Sequence, residues 1–250
     1  MNISLYQAAS ALNANARWQE VIADNLASSS TPGFRKQQLT VEAVRAGLLP
    51  APGHAALGTS AHFTLPSPSL STNFVPGELR YTGGNTDLAI EGSGFFEVQL
   101  PNGSSAFTRD GEFRLNSQGQ LTTKQGFAVL GEAGPIQIDW NNSDPVSISS
   151  SGDVSQGTDQ MGRIRPVDFD RPDLLQPISG GLFLAQDANL MRVFPDETTL
   201  RQGWLEGANT SVSTEMASLL TSMRSFEANQ RLIQIQDERM AKTIEQLGNP

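Results

Sequence analysis

The chain has 250 residues, no cysteine, two histidines and a formal charge of −9, with 38% hydrophobic and 17% charged residues. That length and apolar content can bury a core, which excludes wholesale disorder. Disulfides, thiolate metal sites and cysteine nucleophiles are excluded outright, and the acidic balance argues against nucleic acid or an anionic membrane, which need clustered Lys and Arg.

The acidic excess is not spread evenly. Residues 46–204 carry nine basic and seventeen acidic side chains, whereas 1–45 carry four and three, and 205–250 four and six. Nearly neutral ends can pack against copies of themselves while an acidic centre stays solvated.

From Ile3 to Ala27 there is no Gly or Pro and Ala is abundant, which predicts a helix. Steps of four and three trace a stripe through Leu5, Ala9, Leu12, Ala16, Gln19, Ala23 and Leu26. Its alternation of large and small residues reads as a coiled-coil seam. Ser28-Ser29-Ser30-Thr31-Pro32-Gly33 supplies turn chemistry and must end the helix. The N-terminal segment lacks the basic start, apolar run and small-residue cleavage site of a signal peptide, so the expectation is a cytoplasmic protein or one exported without a cleaved leader. No stretch reaches the roughly 20 apolar residues of a membrane span, and membrane insertion is not expected.

Residues 35–74, with Pro50, Pro52, Pro66 and Pro68 and few periodic apolar positions, read as an extended linker. His54 and His62 fall here without partners at ligand spacing, so neither metal nor cofactor is expected. From 75 to 207 the period changes. Phe96, Val98 and Leu100 alternate, Pro101-Asn102-Gly103 turns the chain, and Ala106–Arg109 resumes. Short apolar runs at Leu121, Phe127–Leu130, Ile136–Ile138, Val146–Ile148, Val167–Phe169, Leu182–Leu184 and Leu190–Phe194 follow, punctuated by Gly119, Gly126, Gly131 and Gly134. This predicts an antiparallel β-domain.

The last segment repeats the first at greater length. Val212, Met216, Leu219, Met223, Phe226, Gln230, Ile233, Asp237, Met240, Ile244 and Leu247 follow steps of four and three, with no Gly or Pro between. Gly248 and Pro250 end it. The fold class is therefore α+β: long N- and C-terminal coiled-coil-forming helices (1–34 and 208–250) and a central, mostly antiparallel β-domain. Each seam would leave apolar area exposed unless it met the other or a neighbouring copy.

Chemistry is thin on the ground. Gly92-Ser93-Gly94 completes neither GxGxxG nor GxxxxGK[ST], and there is no GxSxG. Asp87, Glu91, Glu97, Asp110 and Glu112 could supply a carboxylate pair for glycoside hydrolysis, but solvated acids are the default. No catalytic, cofactor or metal site is assigned, and enzyme activity is not expected. The rival reading is a soluble carbohydrate-binding or hydrolytic β-domain on a dimerising helical stalk; Tyr81 and Trp140 are its best aromatic candidates.

Asp24-Asn25-Leu26-Ala27-Ser28-Ser29-Ser30-Thr31-Pro32-Gly33-Phe34-Arg35 resembles the signature near the N-terminus of flagellar rod and hook proteins, with Asp24 and Ser28 where that family usually has Asn. The resemblance continues through Gly77-Glu78-Leu79, Asn85–Gly92, Gly94-Phe95-Phe96 and Phe107-Thr108-Arg109-Asp110-Gly111. It returns at Gln202-Gly203-Trp204-Leu205-Glu206, Asn209 and Met223–Asn229. The family it points to is the flagellar basal-body rod proteins, proximal or distal, with the proximal kind favoured. The resemblance implies a structural subunit of a hollow, periplasm-crossing rod. The implied partners are copies of itself, other rod and hook subunits, the flagellar export apparatus and basal-body ring proteins. The assembly interface would comprise Leu5, Ala9, Leu12, Ala16, Ala23, Leu26, Met216, Leu219, Met223, Phe226, Ile233, Met240, Ile244 and Leu247. Asn25, Leu26, Ala27, Thr31, Pro32, Gly33 and Phe34 would form the motif turn.

Overall fold

The computed structural model describes residues 3–48, 62–139, 142, 144–185, 192–193, 195 and 198–248. Among them are two α-helices, α1 (Ile3–Ala27) and α2 (Val212–Gly248), with two long strands and a series of short, mostly antiparallel-paired strands between. At 1.5 Å per residue α1 runs about 37 Å and α2 about 55 Å. The chain divides into two units, one containing α1, residues 37–71 and α2, the other containing 27–36 and 72–211.

In the first unit, α1 buries Ala14, Val21, Ile22 and Asn25, with Trp18 half-buried. This stripe also steps by four and three, but it is not the one that periodicity favoured: Ala9 and Ala23 are exposed, and Leu12, Ala16 and Leu26 only half-buried. An Ala-rich helix carries more than one such series. The chain covers the one holding Trp18, Val21 and Ile22, because it removes the most apolar area from water. Helix α2 behaves alike. Its buried residues are Glu215 and Ser222, with Leu219, Phe226, Asn229, Ile233 and Gln236 half-buried. Met216 (52%), Met223 (48%), Met240 and Ile244 (70%) stay exposed.

The segment expected to be an extended linker holds two long strands, Gln37–Leu48 and His62–Thr72, which form a two-stranded sheet. Proline hid them. Pro66 and Pro68 lie within the second strand, where a missing N–H is tolerable because each strand of a two-stranded sheet has an open edge.

The second unit is built on an eight-stranded sheet. Its path runs Leu175–Ile178, Leu182–Ala185, Ser105–Thr108, Phe96–Gln99, Ala128–Gly131, Leu121–Thr122, Arg114–Leu115, with Gly134–Pro135 pairing onto Ala128–Gly131. The Asn102-Gly103 hairpin sits where the alternation placed it, Phe96–Gln99 against Ser105–Thr108. Gly103 turns at φ +83°, and Asn102 Oδ1 accepts the Ser104 N–H at 3.0 Å. A three-stranded sheet (Val146–Ile148, Asp153–Gln156, Asp159–Arg163) packs into the same core, where Phe96, Phe113, Leu121, Val129, Val154 and Ile164 are fully or almost fully buried. A second cluster joins Phe95, Phe107, Phe169 and Phe183, with Phe107 and Phe169 edge-to-face at 4.7 Å.

The last strands of this unit return to its beginning. Thr199–Gln202 pairs with Leu88–Glu91, and Trp204–Glu206 with Leu79–Tyr81. Gly203, at φ +77°, makes the bend between them. Residues 199–209 are thereby brought to residues 33–36 and 73–92.

Candidate functional site

The turn after α1 is built by local bonds. Thr31 N–H donates to Ser28 C=O at 3.0 Å, and Phe34 N–H to Thr31 C=O at 3.3 Å. Gly33 adopts φ +66°, and a Cβ there would lie 2.2 Å from the Arg109 carbonyl carbon, so only glycine fits. Its N–H donates to Glu206 C=O at 2.7 Å, and Phe34 beside it is buried.

Arg35 then points into the unit at a buried carboxylate. Glu206 Oε1 accepts from Arg35 Nη1 at 2.5 Å and from the Gly77 N–H at 2.7 Å, while Oε2 accepts from Arg109 Nη1 at 3.1 Å. All three side chains are at most 5% exposed. Arg109 also donates to Ile90 C=O and Gly92 C=O and lies over the Phe95 ring at 5.6 Å. Burial lowers the Arg109 pKa, Glu206 opposes that, and Arg35 adds to it as a second cation. Two guanidinium groups thus share one carboxylate out of water, a geometry that holds only while every charge keeps its partner.

Asn209 completes the joint. Its Nδ2 donates to Asn73 C=O (2.8 Å) and Val75 C=O (2.9 Å), its Oδ1 accepts from Lys36 N–H (2.7 Å), and its own N–H donates to Phe34 C=O. In the helical unit Asn25, 2% exposed, plays a similar part. Its Nδ2 donates to Gln37 C=O and its Oδ1 accepts from Gln37 N–H, both at 2.9 Å, so the amide acts as a strand partner.

The motif residues are thus framework. The structure brings Thr31, Gly33 and Phe34 together with Glu206 and Asn209; Pro32 is half-buried in the same turn, and Ala27 is exposed. Arg35, Arg109, Glu206 and Asn209 were quoted in the family resemblance yet not picked out as site residues, because their partners are remote in sequence; a buried ion pair leaves no periodic trace. Of the helical seam, Ala9, Ala23, Met216, Met223, Met240 and Ile244 are exposed and Leu12, Ala16, Leu26, Leu219, Phe226 and Ile233 half-buried. The side chains of Leu5 and Leu247 lie outside the described residues, as do His54 and Trp140.

The carboxylates considered for hydrolysis are otherwise engaged. Glu91 forms a two-pronged pair with Arg201 (2.6 and 2.8 Å), Glu112 meets Lys124, and Asp87 accepts from Thr82. Asp110, buried, accepts the Glu112 N–H and is pushed up to about 6, chiefly by burial. Gly92 and Gly94 adopt positive φ in the turn between two strands.

Three family models match along the chain: flagellar basal body rod protein over residues 5–35, flagellar hook protein FlgE/F/G D1 domain over 89–156, and flagellar basal body rod FlgEFG protein C-terminal over 201–247. The chain is 32% identical to the flagellar basal-body rod protein FlgG of Buchnera aphidicola subsp. Acyrthosiphon pisum, covering 96% of this chain and 97% of the relative. It is 32% identical to FlgF of Caulobacter vibrioides and 31% identical to FlgF of Escherichia coli K12, each over 99% of both chains. The matched regions include the turn, the buried carboxylate between its two arginines and the terminal helices, so the chain belongs to the flagellar basal-body rod protein family, whose members are structural proteins and not enzymes.

Proposed function

We propose that this rod protein self-assembles through its terminal helices, as coiled-coil-like elements, into the hollow drive shaft of the flagellum. The carrying observation is the apolar series left open on α2, where Met216, Met223 and Ile244 are about half or more exposed in the single chain. Exposed apolar knobs at heptad spacing are unfavourable in water and are relieved by neighbouring helices. Repetition of one such contact between unlike faces builds an open helix of subunits. Leu5, Ala9, Leu12, Ala16, Ala23 and Leu26, with Met216, Leu219, Met223, Phe226, Ile233, Met240, Ile244 and Leu247, form the proposed assembly surface.

The proximal position in the rod is the finer reading, for which the total length and the run Val129-Leu130-Gly131 followed by Gly134-Pro135-Ile136 speak. Neighbouring rod and hook subunits, the export apparatus and the basal-body rings are the proposed partners, with export leaving no cleaved leader. In a strain lacking its own copy, Leu12→Glu with Phe226→Glu abolishes swimming while the purified variant keeps its thermal transition. Normal swimming by that double variant would sink the assembly reading, and a tagged copy found away from the proximal rod in purified basal bodies would sink the finer one.

A further inference from the structure

Most of the methionines among the described residues stand on α2, and two of them share a face. At 3.6 residues per turn Val212, Met216, Leu220 and Met223 fall within about 80° of one another round the helix. They are 45%, 52%, 59% and 48% exposed, so a large part of each side chain meets water in the single chain. Met161, on the strand Asp159–Arg163, is by contrast partly buried and packed against the core that holds Val154 and Ile164. Met240 is less exposed, at 38%. It lies about a third of a turn round the helix from Met216.

The placement matters because a thioether undergoes a reaction that leucine does not. Its sulfur lone pair attacks a peroxide oxygen, so an S–O bond forms and the O–O bond breaks. The departing hydroxide takes the proton left on the transferred oxygen and leaves as water. Sulfur is oxidised by one electron pair, and the peroxide is reduced by the same pair. The oxidant must reach the sulfur, so exposure governs the rate. The product, a sulfoxide, is polar and chiral, and methionine sulfoxide reductases return it to the thioether. On the solvent side of α2 the added oxygen is hydrated, and the buried residues of the chain keep their packing.

We propose that Met216 and Met223 form a reversible oxidation site, open to hydrogen peroxide in the free subunit, whose sulfoxide form does not assemble. The inference rests on the assembly reading, in which both residues belong to the apolar surface, and adds a chemical control on that surface. Burying a sulfoxide oxygen without a hydrogen-bond donor is unfavourable, whereas leaving it in water is not. The two sulfurs stand seven residues apart, two turns of helix, so a double oxidation sets a polar group at each end of one apolar patch. Leu220 between them is inert to peroxide.

The purified full-length chain, treated with hydrogen peroxide, tests this. Peptide mass spectrometry finds one added oxygen on Met216 and on Met223 at least about fivefold sooner than on Met161. Far-UV circular dichroism is unchanged by the treatment. In sedimentation, the fraction of chain that pellets falls about tenfold on oxidation and recovers when the two epimer-specific sulfoxide reductases are added. Met216→Leu with Met223→Leu conserves side-chain volume and helix propensity. Compared with its own untreated sample, that variant loses less than about twofold on oxidation, although Met240 still reacts. An equal rate at Met161, a loss of helical signal, or an oxidised chain that pellets like the untreated one would each overturn the site. So would reductases that restore nothing, or a leucine variant as peroxide-sensitive as the unmodified chain. All of these leave the assembly reading in place; an untreated chain that stays monomeric at every concentration would remove both.

Discussion

Glu206 ties together segments of the chain that are remote in sequence. It holds Arg35, Arg109 and the Gly77 N–H with its carboxylate, and the Gly33 N–H with its carbonyl. The cluster has two cations and one anion, so its members are not equal. Glu206→Gln leaves two buried guanidinium groups facing one neutral amide and costs on the order of 3–5 kcal/mol. Arg35→Met leaves a neutral Arg109–Glu206 pair and costs less; thermal melts of the two variants rank them, and the reverse order would overturn the argument. Asp110, a neighbour in sequence, gives a pH signature. Its pKa rises from the usual 3.8 to about 6, mainly through burial, with the Glu112 N–H and Lys124 opposing and Glu112 and Asp87 reinforcing. The folded state therefore binds this proton more tightly than the unfolded state. Stability from this group is complete below pH 4 and is lost as pH rises through about 6. Asp110→Asn keeps an Oδ1 acceptor for the Glu112 N–H, removes that slope, and stabilises the protein at pH 7 by up to about 3 kcal/mol. Urea melts at pH 4.5 and 7 check both points.

Among the elements, those governed by neighbours in sequence were legible and those governed by remote partners were not. The Asn102-Gly103 hairpin was readable because turn and alternation are adjacent, and the existence of both helices followed from an unbroken absence of Gly and Pro. Which stripe of α1 the chain covers was not readable. Two four-three series coexist there, and the choice depends on Val21, Ile22 and Trp18 having a surface to meet. The strands Gln37–Leu48 and His62–Thr72 were hidden for a different reason, since proline argues against a strand except at an edge. Asn25 links one of these strands to α1 through two buried bonds to Gln37. Asn25→Ala removes both at a cost of about 1–3 kcal/mol. Faster amide exchange at Gln37, with unchanged exchange across Phe96–Thr108, is the expected result. Equal acceleration in both regions would show that the amide serves more than this joint.

At the scale of the whole molecule, the central unit is closed by its last segment. Thr199–Gln202 and Trp204–Glu206 complete pairings opened more than a hundred residues earlier, at Leu88–Glu91 and Leu79–Tyr81. A chain ending at Ser211 retains both strands, Glu206 and Asn209, and melts cooperatively. One ending at Thr198 lacks all of them and shows no cooperative urea transition; a sharp transition in the shorter chain would refute the closure. The order in which a polypeptide emerges gives this arrangement a further meaning. Whether leaving a ribosome or a narrow conduit, the leading portion cannot draw its two arginines together until nearly everything ahead of α2 is out. The knot is tied by the trailing end, like a drawstring, so an emerging chain stays slack until the strands at 199–206 appear.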